Sequence, residues 1–212
     1  MKTFLVCRVL GLVPIALAVA PSLVDAQTDP TRLGLVVGYA SNEQIWKPSV
    51  PAEGKGGVVL GGFLNAATSV GWLSIYVDGT WVQRGGDVAG TVQGQDVVGG
   101  LRADLLSFSI RPRANLPLGG ARVFIAAGPA VDQSIRVRKD AGLTQVLDNE
   151  VASSIGVGFG GGIGATINER FALELEARLF EGLGDAASGP FVSVRNRALE
   201  VVGRVGFVRP GA

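Results

Sequence analysis

Histidine is absent from the 212-residue chain, and the one cysteine, Cys7, sits near its start. Each scarcity removes a class of chemistry. Histidine is the usual acid, base or orienter in hydrolytic sites, because its ordinary pKa lies beside working pH. A thiol would be the alternative nucleophile, and a serine flanked only by carboxylates has no base to activate it. The composition therefore points to a protein that is not an enzyme, and no cofactor is expected. Metal binding has little to build on. Asp148 and Glu150 offer carboxylate oxygens to a hard cation, but a calcium loop needs more oxygen ligands at fixed spacing. Charge of one sign is also missing. Of 19 basic and 18 acidic side chains, the first 26 residues hold Lys2, Arg8 and Asp25, which leaves the remainder evenly balanced. Nothing in that balance suggests the clustered basic face that a nucleic-acid partner requires. Aromatic residues are few, with three Trp and two Tyr. Beyond residue 26 no uninterrupted apolar run reaches the roughly 20 residues of a spanning helix, although mean hydropathy is high at +0.37.

The first residues do form a pattern. Lys2 and Arg8 precede an apolar run over 9–20, then Pro21, then Val24-Asp25-Ala26 ahead of Gln27. A basic start, a short apolar core and small residues at the end make a cleavable secretory signal peptide over 1–26. The remaining domain would span 27–212, with Cys7 removed.

What is abundant is glycine, 32 residues, about twice the average share. It accompanies a period of two. In the stretch from Phe171 to Leu179, Phe171, Leu173, Leu175, Ala177 and Leu179 form one row, and Glu174, Glu176 and Arg178 the other. A strand separates these rows on two faces, whereas a helix would scatter them and place Glu176 among the apolar side chains. Over 155–165, apolar residues alternate with Gly156, Gly158, Gly160, Gly162 and Gly164. No helix tolerates so many glycines, each costing about 1 kcal/mol against alanine.

The same alternation predicts strands near 32–40, 57–67, 72–84, 101–113, 122–138 and 197–208, eight in all. The short links 68–71, 116–120 and 167–170 imply antiparallel hairpins. Four longer stretches, 42–56, 85–96, 139–153 and 184–196, read as polar loops. In the strand at 101–113, Leu106, Phe108, Ile110 and Pro112 share a row that, followed backwards, reaches Asp104 and Arg102. Either the strand leaves the apolar layer there or a bulge flips its register. The strand at 122–138 is longer than a membrane crossing of about 9–11 residues requires. Its pattern places Ile135 and Val137 in the apolar row, with Arg136 and Arg138 opposite.

Eight strands with alternating long and short connections make an up-and-down meander that can close into a barrel. Charge placement sets its polarity. Outside the strand at 101–113, the apolar rows contain no Lys, Arg, Asp or Glu. The opposite rows hold Asp78, Arg84, Asp132, Glu174, Glu176, Arg178, Glu200 and Arg204, together with Arg111 and Arg113 in the drawn register. Because a basic side chain facing mid-bilayer costs about 2–4 kcal/mol, this is the polarity of a transmembrane barrel: apolar outside, with an internal charge network that pairs and plugs the lumen. Arg136, Arg138 and Lys139 rise above the apolar layer, where they would meet solvent or the phosphates of lipopolysaccharide.

Several segments are similar to a known family. Leu73-Ser-Ile-Tyr-Val-Asp-Gly-Thr-Trp-Val-Gln-Arg-Gly85 with its inward Asp78, Ala127-Gly-Pro129, Arg178 with Glu181-Gly-Leu183, and Asn196-Arg197 occur in order. Over nearly all of the chain past the leader, this resembles the small eight-stranded outer-membrane β-barrel family of Gram-negative bacteria, of the OmpA transmembrane domain and OmpX type. The resemblance implies an all-β, eight-stranded antiparallel transmembrane barrel in the cell outer membrane. It also implies insertion by the barrel assembly machinery, loops outside the cell and contact with outer-membrane lipid and lipopolysaccharide. The function expected is a non-catalytic envelope structural or interaction protein acting through its loops. A narrow porin-like channel uses the same lumen residues differently, and a secreted soluble ligand-binding barrel is the third reading.

Overall fold

The computed structural model describes residues 31–208 except 93, 145, 148, 151–152 and 169. The expected leader, Asp148 and the residues after Val208 lie outside the described residues, as does the side chain of Glu150. Eight long strands carry the fold: β1 (Arg32–Lys47), β3 (Gly56–Ala67), β4 (Leu73–Val92), β5 (Gln95–Leu118), β6 (Ala121–Lys139), β8 (Ser153–Asn168), β9 (Phe171–Gly182) and β11 (Val192–Val208). Three short ones, β2 (Ala52–Gly54), β7 (Asn149–Glu150) and β10 (Ala187–Gly189), lie between them, with one helical turn at Ala141–Thr144.

Each long strand pairs antiparallel with the next, and β1 also pairs with β11, from Arg32 opposite Val208 to Lys47 opposite Ser193. The path through the long strands thus returns to its start. Closely spaced turns link β3 to β4, β5 to β6 and β8 to β9 at one end, the turn end. The other, the loop end, carries the extended hairpins.

The expected alternation fixes which face is which. In β9, Leu173 and Leu175 are 47% and 52% exposed, while Glu174 and Glu176 are 6% and 1% exposed. Exposed Leu33, Leu35, Val37, Phe108, Ile110, Ile163 and Val201 continue the apolar row around the outer wall. The inner row of β8 is glycine because large neighbours occupy its space. A Cβ on Gly162 would stand 2.7 Å from the Phe124 ring and one on Gly160 2.7 Å from the Arg178 Cβ.

Two regions depart from expectation, and at a third an open alternative is settled. The stretch 85–96 is not a loop: β4 and β5 continue through it as a hairpin, Val92 opposite Gln95. Most of 42–56 and part of 184–196 are likewise strand. Buried residues of these stretches, Trp46, Val50, Val88, Val92, Ala187, Val192 and Val194, join Val97 and Leu101 of β5 and Leu143 and Leu147 of the 139–153 connection in an apolar core of their own. Glycine and polar residues dilute these apolar positions in the sequence, which hides the alternation.

At Arg102 and Asp104 the first of the two alternatives holds. The outer row of β5 does not flip, because Arg102 is exposed and Leu101 and Leu105 stay buried. That row simply leaves the apolar layer. The second departure lies in the strand beside it. Asp104 faces Arg136 but Leu105 faces Ser134, so Ile135 is an extra residue in β6. Val137 consequently packs against the loop-end core while the Arg138 side chain is 53% exposed, the reverse of the rows expected for them.

Candidate functional site: the ionic lumen and its rim

Inside the ring of strands, arginines and carboxylates from different strands meet across the axis. Strands β1, β4, β5, β6, β9 and β11 direct them there because every second residue of a strand shares a face. At mid-lumen, Asp78 of β4 accepts hydrogen bonds from Arg111 at 3.0 Å, Arg178 at 2.5 Å and Ser109 at 2.6 Å. Arg178 also donates to Glu200 at 2.6 Å, and Arg111 to Glu176 at 2.7 Å. Arg204 is hydrogen-bonded to Glu176. Towards the loop end, Arg84 lies 3.1 Å from Asp132 and 3.2 Å from Glu200, with its guanidinium 3.9 Å from the centre of the Phe180 ring.

Towards the turn end, one carboxylate serves four guanidiniums. Glu174 meets Arg113 at 2.8 Å, Arg32 at 3.2 Å and Arg204 at 3.7 Å, and is also bonded to Arg122. Arg113 further lies 3.5 Å from the centre of the Phe124 ring. Phe63 stacks on Tyr76, and Arg204 sits 4.6 Å from the Tyr76 ring. Removing such charges from water is costly, so each must be met by opposite charge and by hydrogen bonds, or by an aromatic face.

All nine sequence-predicted lumen residues, Asp78, Arg84, Arg111, Arg113, Glu174, Glu176, Arg178, Glu200 and Arg204, are buried and ion-paired within this one network. Sequence reasoning missed Arg32 and Arg122 as members. The signal was present, since both share the parity of the inner rows. Arg32 is two residues before Gly34, and Arg122 two before Phe124.

The three rim residues separate. Arg136 and Arg138 are exposed on the outer wall, and Arg138 donates to Asp104 at 3.0 Å. Burial works against the Asp104 carboxylate, but hydrogen bonds from Gln83 and Arg138 outweigh it and hold its pKa below the ordinary carboxylate value. Lys139 turns elsewhere and donates Nζ to the Leu147 carbonyl at 3.0 Å. Among the described residues no group of three or more carboxylates is placed to hold a metal ion.

Among the described residues the lumen brings Arg32, Arg84, Arg111, Arg113, Arg122, Arg178 and Arg204 against Asp78, Asp132, Glu174, Glu176 and Glu200, beneath an apolar lid. Each of these carboxylates meets at least one guanidinium and Asp78 also takes the Ser109 hydroxyl proton in a hydrogen bond, so the contacts tie the strands together across the axis.

No protein-family model matches the chain, and no curated protein sequence does. Solved structures do resemble it. The outer membrane protein OprG from Pseudomonas aeruginosa is 13% identical, with a TM-score of 0.56 over 86% of this chain and 97% of that one. Neisserial surface protein A is also 13% identical, with a TM-score of 0.50 over 84% of this chain and 97% of that one. At such identities the likeness is one of fold: a strand-dominated architecture of the small outer-membrane barrel kind.

Proposed function

We propose that residues 27–212 form an integral outer-membrane β-barrel of eight transmembrane strands, exported by the 1–26 leader and inserted by the barrel assembly machinery. In this reading it works in the envelope as a non-catalytic structural or interaction protein through its loop end. The observation that carries the reading is inverted polarity: leucine, valine, isoleucine and phenylalanine line the outer wall while the buried arginines and carboxylates line the axis. Water would reward the opposite arrangement, and lipid rewards this one. The fold likeness to an outer membrane protein and to a bacterial surface protein points the same way. A channel would need an open axis. Here two barriers stand in series, the ion-pair stack and the apolar core of the loop end. A soluble ligand-binding barrel would need an apolar interior, and Glu174, Glu176 and Arg178 occupy it instead.

The test is membrane fractionation of the full chain combined with heat-modifiable gel mobility and protease treatment of intact cells. Recovery in the outer-membrane fraction, a faster-migrating unheated form and cleavage confined to the loop end are expected. Release without detergent would refute the assignment, and stable unit currents in a planar bilayer would replace it with the channel reading.

A further inference from the structure

Two irregularities of the sheet fall at the same height on either side of the β4–β5 hairpin. On one side β3 pairs with β4 only as far as Val82, and β2 takes over at Gly86. Across the gap, Lys55 passes, its backbone N–H donating to the Gly85 carbonyl at 3.0 Å. On the other side lies the bulge at Ile135 in β6. Between them the outer wall opens into a recess lined by Lys55, Gln83, Arg102, Asp104 and Arg138, with Gly56 and Gly85 at its floor.

The recess is basic. Lys55, Arg102, Arg138 and the adjoining Arg136, the cross-strand partner of Asp104, face Asp104 and Asp87. Asp87 engages Lys55 at 2.5 Å and Asp104 engages Arg138 at 3.0 Å. Among the described residues Arg102 and Arg136 make no ion pair. Asp104 also accepts from Gln83 at 3.1 Å and braces the Arg138 guanidinium. With Asp140, whose carboxylate accepts from the Gly100 N–H beside Lys55 and Asp87, the cluster sets Lys55, Arg102, Arg136 and Arg138 against Asp87, Asp104 and Asp140, which leaves one cation in excess. The bulge is what creates this cluster, because without it Arg136 and Arg138 would follow the inner rows.

Its position is equally specific. Directly below, on the same face, stand exposed Leu106, Phe108 and Ile135. Tyr39, an exposed phenol of β1, lies over Gly56 so closely that a Cβ there would collide with its hydroxyl. A tyrosine with an apolar body and a polar tip marks the depth at which a bilayer passes from chains to headgroups.

We propose that this recess binds a phosphate of an anionic lipid headgroup of the outer leaflet, with its acyl chains lying on Leu106, Phe108 and Ile135. Planar guanidiniums suit a phosphate because they offer paired N–H donors, and the ammonium of Lys55 adds a point charge. The proposal rests on the membrane reading above. It moves the lipid contact expected of Arg136, Arg138 and Lys139 to a site that includes Lys55 and Arg102 and excludes Lys139.

The experiment is native mass spectrometry of the full chain, folded in detergent, titrated separately with bisphosphorylated lipid A, its dephosphorylated form and inorganic phosphate. Lys55→Gln/Arg102→Gln is the test variant, and Lys47→Gln, an exposed cation elsewhere, is the control. One tightly held lipid A per chain is expected, weakened about tenfold or more by removing either the phosphates or the two cations, with Lys47→Gln unchanged. Equal retention of the dephosphorylated lipid, or full retention by the double variant, overturns the proposal. Inorganic phosphate that displaces lipid A at equal concentration also overturns it, in favour of a free-anion site. A chain that fractionates with outer membranes and shows heat-modifiable mobility, yet ignores the phosphates, refutes this site alone. A chain that does neither refutes the membrane reading itself.

Discussion

Arg178 and Asp78 stand 100 positions apart in the chain and meet at 2.5 Å in the middle of the lumen, both buried. This contact ties β9 to β4 across the width of the molecule, where no backbone pairing joins them. Asp78 answers two guanidiniums at once. Replacing it by asparagine leaves both partly uncompensated, and Asp78→Asn should cost about 3–5 kcal/mol. Urea unfolding of the protein in lipid vesicles measures it. A companion Arg178→Gln should restore part of the loss, and an unchanged midpoint for Asp78→Asn would show that the pair does not hold the strands together.

The outer wall predicts a dependence on depth. Leu175 lies mid-strand in β9 and Leu33 near the turn end of β1, both exposed. Leu175→Arg should lose about 2–4 kcal/mol of folding free energy in vesicles, and Leu33→Arg about 0–1 kcal/mol. Equal, small losses at both positions would place the wall in water.

Trp46 tests the loop-end core. Its indole is buried among Val, Leu and Ala side chains contributed by all four loop-end connections, so Trp46→Ala removes a large part of that packing, worth about 3–5 kcal/mol locally. The loops should become sensitive to trypsin on intact cells, while heat-modifiable mobility stays as in the wild type because the strands and ion pairs below are untouched. Conductance should remain absent, since the ion-pair stack still blocks the axis. Loss of the folded gel form would mean that the core is integral to the barrel.

Two glycines make a matched pair. A methyl group at Gly162 would approach the Leu175 carbonyl to 2.1 Å and the Phe124 ring to 2.7 Å, whereas one at Gly120 meets nothing within 4 Å. Gly162→Ala should therefore destabilise by about 1–3 kcal/mol through overpacking, and Gly120→Ala should be neutral or mildly stabilising. Thermal shift of the unheated gel form reports both, and equal shifts would remove crowding as the reason for glycine in β8.

Much of this was legible in the chain because strand parity is a local code. Leu173 and Glu174 announce their faces to anyone counting by two, and the nine lumen charges followed from that count. Two kinds of information were not local. The bulge at Ile135 depends on how β6 meets β5, so the sequence alone left the faces of Val137 and Arg138 inverted. The loop-end core gathers Val88, Leu143 and Val192 from separate connections. They lie far apart in the chain, and only the third dimension makes them neighbours. The recess at Lys55 combines both effects, since it needs the bulge and the handover from β3 to β2 at one height.

The joint between β1 and β11 unites the first and the last described strands, with 16 residues of β1 engaged. A ring joined in this way cannot be completed until its final segment has been delivered. Until then β1 and the growing end are two bare margins of unpaired amides, the kind of surface that captures other chains. A product truncated ahead of Val192 would keep seven long strands and both margins, and its fate would be aggregation or proteolysis, not a smaller working version of itself.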